Sequence, residues 1–141
     1  MKKLNMKFEY DGHMDKEVIP LCNAMNSLPG IETDESCCGH SSSKFSIFFK
    51  VKETDKGLFF LTRCVDRRYW KYGYLWKIEL SVGDRFKDNY LPIFYELHSG
   101  PIVGEDSYNQ ANSLVDNLNH HLNHEAFLKE YKIENIIKEI K

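Results

Sequence analysis

Between residues 45 and 51 the chain alternates strictly. Phe45, Ile47, Phe49 and Val51 fall on one side of an extended backbone, and Ser46, Phe48 and Lys50 on the other. The same two-residue period sets Trp76, Ile78, Leu80 and Val82 against Lys77, Glu79 and Ser81. It returns in Leu91, Ile93, Tyr95 and Leu97, where Pro92 suits the start of an edge strand and Ser99-Gly100-Pro101 ends the run. Residues 31–36 predict a short strand, and Met6, Phe8 and Tyr10 a weaker edge strand.

Elsewhere the period is helical. Val18, Leu21, Cys22, Met25 and Leu28 share a face, with Asp15 placed to cap, Pro20 confined to the first turn and Pro29-Gly30 as the stop. Leu58, Leu61, Cys64 and Val65 mark a second helix, capped by Thr54 or Asp55. From Asp106, the spacing of Ala111, Leu114, Val115, Leu118 and Leu122 predicts a third. The pattern then continues, through or past a break near Asn123-His124, to Phe127, Leu128, Tyr131, Ile133, Ile136, Ile137 and Ile140. Tyr72-Gly73-Tyr74 and residues 83–90 read as turns. The order predicts one α+β domain spanning 1–141, a mixed or antiparallel sheet with helices packed on one face.

Composition narrows the function classes. A net charge of −2 gives no broad grip on a long nucleic acid, although Arg63, Arg67, Arg68, Lys71 and Lys77 form a local basic cluster. No apolar run approaches the roughly 20 residues of a membrane span. The start Met1-Lys2-Lys3-Leu4-Asn5 has no apolar leader, so the expectation is a cytoplasmic protein without a membrane partner. Its four cysteines (22, 37, 38 and 64) are then thiols.

Candidate chemistry concentrates in residues 35–43, where Glu35, Ser36, Cys37, Cys38, Gly39, His40, Ser41, Ser42 and Ser43 lie between two rigid elements. A glycine turn with four serines offers the amide and hydroxyl donors that cradle phosphate or ribose. Cys37, Cys38 and His40 are zinc-ligand types, but structural zinc sites space their cysteines two to four residues apart. A fourth ligand would have to come from Cys64, His98 or His13. Adjacent strand residues face opposite ways, so the expectation is that at most one of the two cysteines faces the site, with no stoichiometric zinc. Thiol catalysis with His40 or Glu35 as base is a third reading. A tight turn with a buried Cys37 and solvated serines is the plain structural alternative.

Other features rank lower. His120 and His124 share a helix face without a glutamate in metalloprotease spacing. Gly104-Glu105-Asp106-Ser107 reads as a helix start whose acids repel an anion. Tyr69, Trp70, Tyr72, Tyr74 and Trp76 offer base-stacking surface or ordinary core and rim.

The run from Asp15 through Val18-Ile19-Pro20-Leu21 and Ala24-Met25-Asn26-Ser27-Leu28-Pro29-Gly30, followed by Glu35-Ser36-Cys37-Cys38-Gly39-His40, resembles the N-terminal part of the wybutosine-synthesis methyltransferase family. Members of that family modify a guanosine-derived base in tRNA. Their helix leads to a strand ending in a Ser-Cys-Ser-Gly-Arg signature. Ser36, Cys37 and Gly39 match that signature, Cys38 replaces its second serine, and His40 replaces its arginine, removing a fixed charge. The resemblance covers about the first half of the chain. It implies a small nucleotide or RNA base as ligand, lined by Ser36, Cys37, Gly39 and Ser41, with Trp70 or Trp76 stacking on the base. For an enzyme it implies S-adenosylmethionine as methyl donor and Glu35 or His40 as acid/base. The non-enzymatic alternative, sequestering or sensing a nucleotide, uses the same pocket.

Overall fold

The computed structural model describes residues 15–66, 76–82 and 93–140. The expected edge strand around Met6, Phe8 and Tyr10, the Tyr72-Gly73-Tyr74 turn and the 83–90 connection lie outside these residues. So do Leu91, Pro92, Trp70, His13, Arg67, Arg68 and Lys71.

Four strands form one sheet: β1 (Ile31–Cys37), β2 (Lys44–Val51), β3 (Lys77–Val82) and β4 (Ile93–Val103), in the order β1-β2-β4-β3. Among the described residues every pairing is antiparallel, the second of the two expected arrangements. Ile47 stands opposite Ser36 on one side and Leu97 on the other, and Leu97 opposite Ile78. This register lines Phe45, Ile47, Phe49 and Leu97 along one face, where they join the helices in a single core.

The helices are α1 (Ile19–Ser27), α2 (Lys56–Cys64), α3 (Gly104–Leu122), α4 (Glu125–Glu130) and α5 (Ile136–Glu139). A 3-10 turn at Lys16–Val18 precedes α1, and Pro20 sits in the first turn of α1, where its missing N–H is harmless. Val18, Leu21, Cys22, Met25 and Leu28 are all fully buried, as their spacing predicts. Asn26 ties α1 to β1: its side chain accepts the Thr33 N–H and donates to the Thr33 hydroxyl, both at 2.8 Å. Those bonds hold β1 where its register slips between Thr33 and Ser36. In α2 the buried stripe is Gly57, Phe60, Leu61 and Cys64, with Leu58 only half-buried.

Three departures from the pattern have physical causes. β4 runs through Ser99-Gly100-Pro101 instead of stopping, because a bulge absorbs the break. Ser46 pairs with His98 but Lys44 pairs with Val103. The Ser99 hydroxyl fills in for the lost ladder, accepting the Phe45 N–H at 3.0 Å and donating to the Ile102 carbonyl at 2.7 Å. Leu80 is 64% exposed despite its apolar position, since β3 is the outermost strand and α3 packs over β2 and β4. Trp76 is 3% exposed, its ring edge-on to Phe45 with centroids 5.8 Å apart. Among the described residues no helix is long and apolar enough to cross a membrane.

Candidate functional site

β1 carries Ser36 and Cys37 to opposite sides as any strand must. Ser36 stands opposite Ile47 and directs its hydroxyl at the thiol of Cys22 on α1. Burial pushes that thiol up to about 11, so Cys22 is an inert interior group. Cys37 stands opposite Ser46 and is half-buried. Glu35 is exposed at the register slip. The segment that reads as one polar loop is therefore divided, with one hydroxyl committed to the core.

After Cys37 the chain turns sharply through a second 3-10 turn at Gly39–Ser41. Gly39, His40 and Ser41 have φ of 81°, 47° and 70°, three successive residues in the left-handed region. Only glycine adopts it freely; a residue with a Cβ is disfavoured by about 1–2 kcal/mol. Glycine is required at 39 for a second reason: a Cβ there would lie 2.8 Å from the Lys44 carbonyl oxygen. The Gly39 carbonyl accepts the amides of both Ser42 and Ser43, at 3.0 and 2.9 Å. The Cys38 and Gly39 amides are also engaged, the first by Asp15 Oδ2 at 3.0 Å and the second by Cys37 Sγ at 3.3 Å. Four amides of the turn thus point inward, and no open phosphate cradle forms from them.

Asp15 is the residue that the sequence pattern misassigns. It precedes the first 3-10 turn but makes no side-chain cap there. Its carboxylate reaches across 23 positions to the Cys38 amide, and that bond holds its carboxyl below the ordinary range. His40 Nε2 lies 3.8 Å from Asp15 Oδ2, and the imidazole is otherwise exposed. The ligand atoms of Asp15, Cys37 and His40 all fall within 4.8 Å of one another. Cys38 is buried beneath them. Its thiol lies 4.0 Å from His40 Nδ1 and receives the Tyr108 hydroxyl at 3.5 Å. Burial pushes the Cys38 thiol up, and donation to Cys38 pushes the Tyr108 phenol up. Tyr108 comes from the first turns of α3, at whose start a Cβ on Gly104 would lie 3.7 Å from the Ser41 Cα.

The turn therefore brings together Cys37, Cys38, Gly39, His40 and Ser41 with two residues that sequence reasoning passed over, Asp15 and Tyr108. It does not bring in Ser36, which faces α1, or Trp76, which is sealed in the core. Trp70 lies outside the described residues.

A second polar group sits on the sheet face opposite the helices. His98, Glu96 and Ser46 are buried there, and Glu79 is largely exposed. The Gly100 N–H donates to His98 Nδ1 at 3.1 Å, so Nε2 carries the proton and donates to Glu79 at 3.0 Å. That bond draws the Glu79 carboxyl down. Lys44 Nζ meets the two oxygens of Glu96 at 3.1 and 3.0 Å. Both imidazole nitrogens are occupied, which leaves His98 no lone pair for base catalysis.

Comparison with protein-family models, curated proteins and solved structures returns no match. The similarity to the wybutosine-synthesis methyltransferases rests on the sequence residues alone.

Proposed function

We propose that this chain recognises a small nucleotide or an unpaired RNA base at the 37–43 turn and binds it without turnover. One observation carries the reading: the left-handed run at Gly39, His40 and Ser41 holds an imidazole and a hydroxyl outward beside the start of α3. Strained backbone that presents polar side chains to solvent is a mark of ligand sites. The charges around it select the part of the ligand that is read. Asp15 lies beside His40, and Glu105 and Asp106 occupy the first turn of α3, so a phosphate is repelled. A base edge or ribose, with its mixed donors and acceptors, suits His40, Ser41 and Asp15.

Binding without turnover is favoured by the two reactive groups beneath the turn. Cys38 and Tyr108 both hold their protons more tightly than usual, the opposite of an activated nucleophile. Methyl transfer from S-adenosylmethionine, with Glu35 or His40 as acid/base, is the enzymatic alternative that the family resemblance supplies.

Thermal unfolding with guanosine, its monophosphate and S-adenosylmethionine tests the proposal. A native-state ligand at a hundredfold excess over its Kd stabilises by about 2.7 kcal/mol, several degrees for a chain of this size. Guanosine is expected to raise the midpoint, its monophosphate to raise it less because its phosphate is repelled, and His40→Asn to abolish the rise. No rise with either, or a rise untouched by His40→Asn, refutes the reading; a methylated product refutes binding without turnover.

A further inference from the structure

We infer that Asp15, Cys37 and His40 form a binding site for a divalent transition metal, best suited to zinc, with one coordination position open to solvent. The site shares Asp15 and His40 with the nucleotide reading, but it rests on the donor geometry and not on that reading.

The geometry is nearly that of a bound ion. Tetrahedral zinc with one sulfur, one nitrogen and one carboxylate oxygen places its donor atoms about 3.4–3.6 Å apart, from metal–ligand bonds of about 2.0–2.3 Å. His40 Nε2 and Asp15 Oδ2 are already 3.8 Å apart, and all three donor atoms lie within 4.8 Å. His40 is on the surface, so closing the remaining gap moves an exposed ring and not the core.

Each donor also has a partner that aims it. The Gly39 amide donates to Cys37 Sγ and the Cys38 amide to Asp15 Oδ2, bonds that hold both donor atoms in place. His40 Nδ1 faces Cys38 Sγ at 4.0 Å, the side on which a metal-bound imidazole carries its N–H. Such outer partners fix the ligand tautomer and orientation in metal sites. One thiolate and one imidazole select zinc, cobalt or nickel over magnesium or calcium, which take oxygen. Three protein ligands with an exposed fourth position match the open class of zinc site, not the closed structural class.

Contrast with the second polar group sharpens the assignment. The donor atoms of Glu79, Glu96 and His98 also lie within 4.8 Å of one another, yet His98 Nε2 presents a proton where a metal needs a lone pair, and Lys44 occupies Glu96. The spacing rule that argued against zinc counted ligands along the chain. The fold delivers the third donor, Asp15, from upstream of α1.

Metal-free protein titrated with zinc alone, in competition with a chromophoric chelator, and with cobalt(II) alone provides the test. One equivalent of zinc per chain is expected, and cobalt should give a thiolate charge-transfer band. Cys37→Ser should abolish that band and Cys38→Ser retain it. His40→Asn, an exposed change that tolerates the left-handed backbone, should weaken zinc by more than the roughly 10–100-fold that losing an outer partner costs. Glu79→Gln should leave binding unchanged. Absence of stoichiometric uptake overturns the site. So does uptake that survives Cys37→Ser and His40→Asn, or a cobalt band that depends on Cys38.

Discussion

Alanine at Gly39 and alanine at Gly100 should separate two contributions that most glycine substitutions confound. Both residues have positive φ, 81° and 63°, so each variant bears the left-handed cost of about 1–2 kcal/mol. At Gly100 a Cβ meets nothing within 4 Å, and the cost ends there. At Gly39 it would lie 2.8 Å from the Lys44 carbonyl oxygen and 3.1 Å from the carbonyl carbon. Neither is the end of a side chain that can rotate away, so β2 or the turn must shift. Overpacking of that kind adds about 1–3 kcal/mol. Gly39→Ala should therefore lose about 2–5 kcal/mol in total. Equilibrium urea unfolding reads both variants. With a slope of about 2 kcal/mol per molar, the midpoint should fall by roughly 1–2.5 M for Gly39→Ala and by less than about 1 M for Gly100→Ala. Equal falls would refute the reasoning, because the turn would then not be locked against the start of β2.

Two further outcomes follow from buried titratable groups. Burial, and then the neighbouring His120 and His124, hold the His121 imidazole below its ordinary value even though its Nδ1 bonds to the Asn117 carbonyl. A pKa lower in the folded state means that this residue's contribution is complete above about pH 6.5 and is lost as pH falls through the folded value. Urea midpoints should drop between about pH 7.5 and about pH 5, and drop less in His121→Phe; equal drops would place the acid sensitivity in other groups. Among the thiols, Cys37 should be alkylated first in native protein. Cys22, Cys38 and Cys64 are buried with raised pKa values, and mass spectrometry showing any of them labelled ahead of Cys37 would contradict the placement.

Elements held by local periodicity were legible in the sequence. The faces of residues 18–28 and 45–51 need only the spacing of apolar side chains. That spacing left open both a break near Asn123-His124 and a continuous helix, and the chain in fact breaks between Leu122 and Glu125. The strand order was not legible, because nothing local says that β4 lies between β2 and β3. Nor was the continuation of β4 past Pro101, which depends on one serine hydroxyl bridging two backbone groups. The site divides the same way. Cys37, Cys38, Gly39 and His40 announce themselves by residue type, whereas Asp15 and Tyr108 reach Cys38 across 23 and 70 positions, separations that leave no periodic trace. Asp15 also had a plausible local task as a helix cap, which hid its actual one. The tryptophan at 76 could have been core or stacking surface on composition; its contact with Phe45 decides for core.

The backbone at positions 40 and 41 has a consequence for laboratory evolution. Folded domains hold only about 5–15 kcal/mol of stability, and His40 and Ser41 each forgo about 1–2 kcal/mol that glycine would restore. Natural chains commonly sit below their attainable stability, with the shortfall gathered where activity needs it. Selection of this chain for heat resistance alone should converge on glycine at 40 and 41, and each step toward robustness would remove a side chain from the turn that presents it.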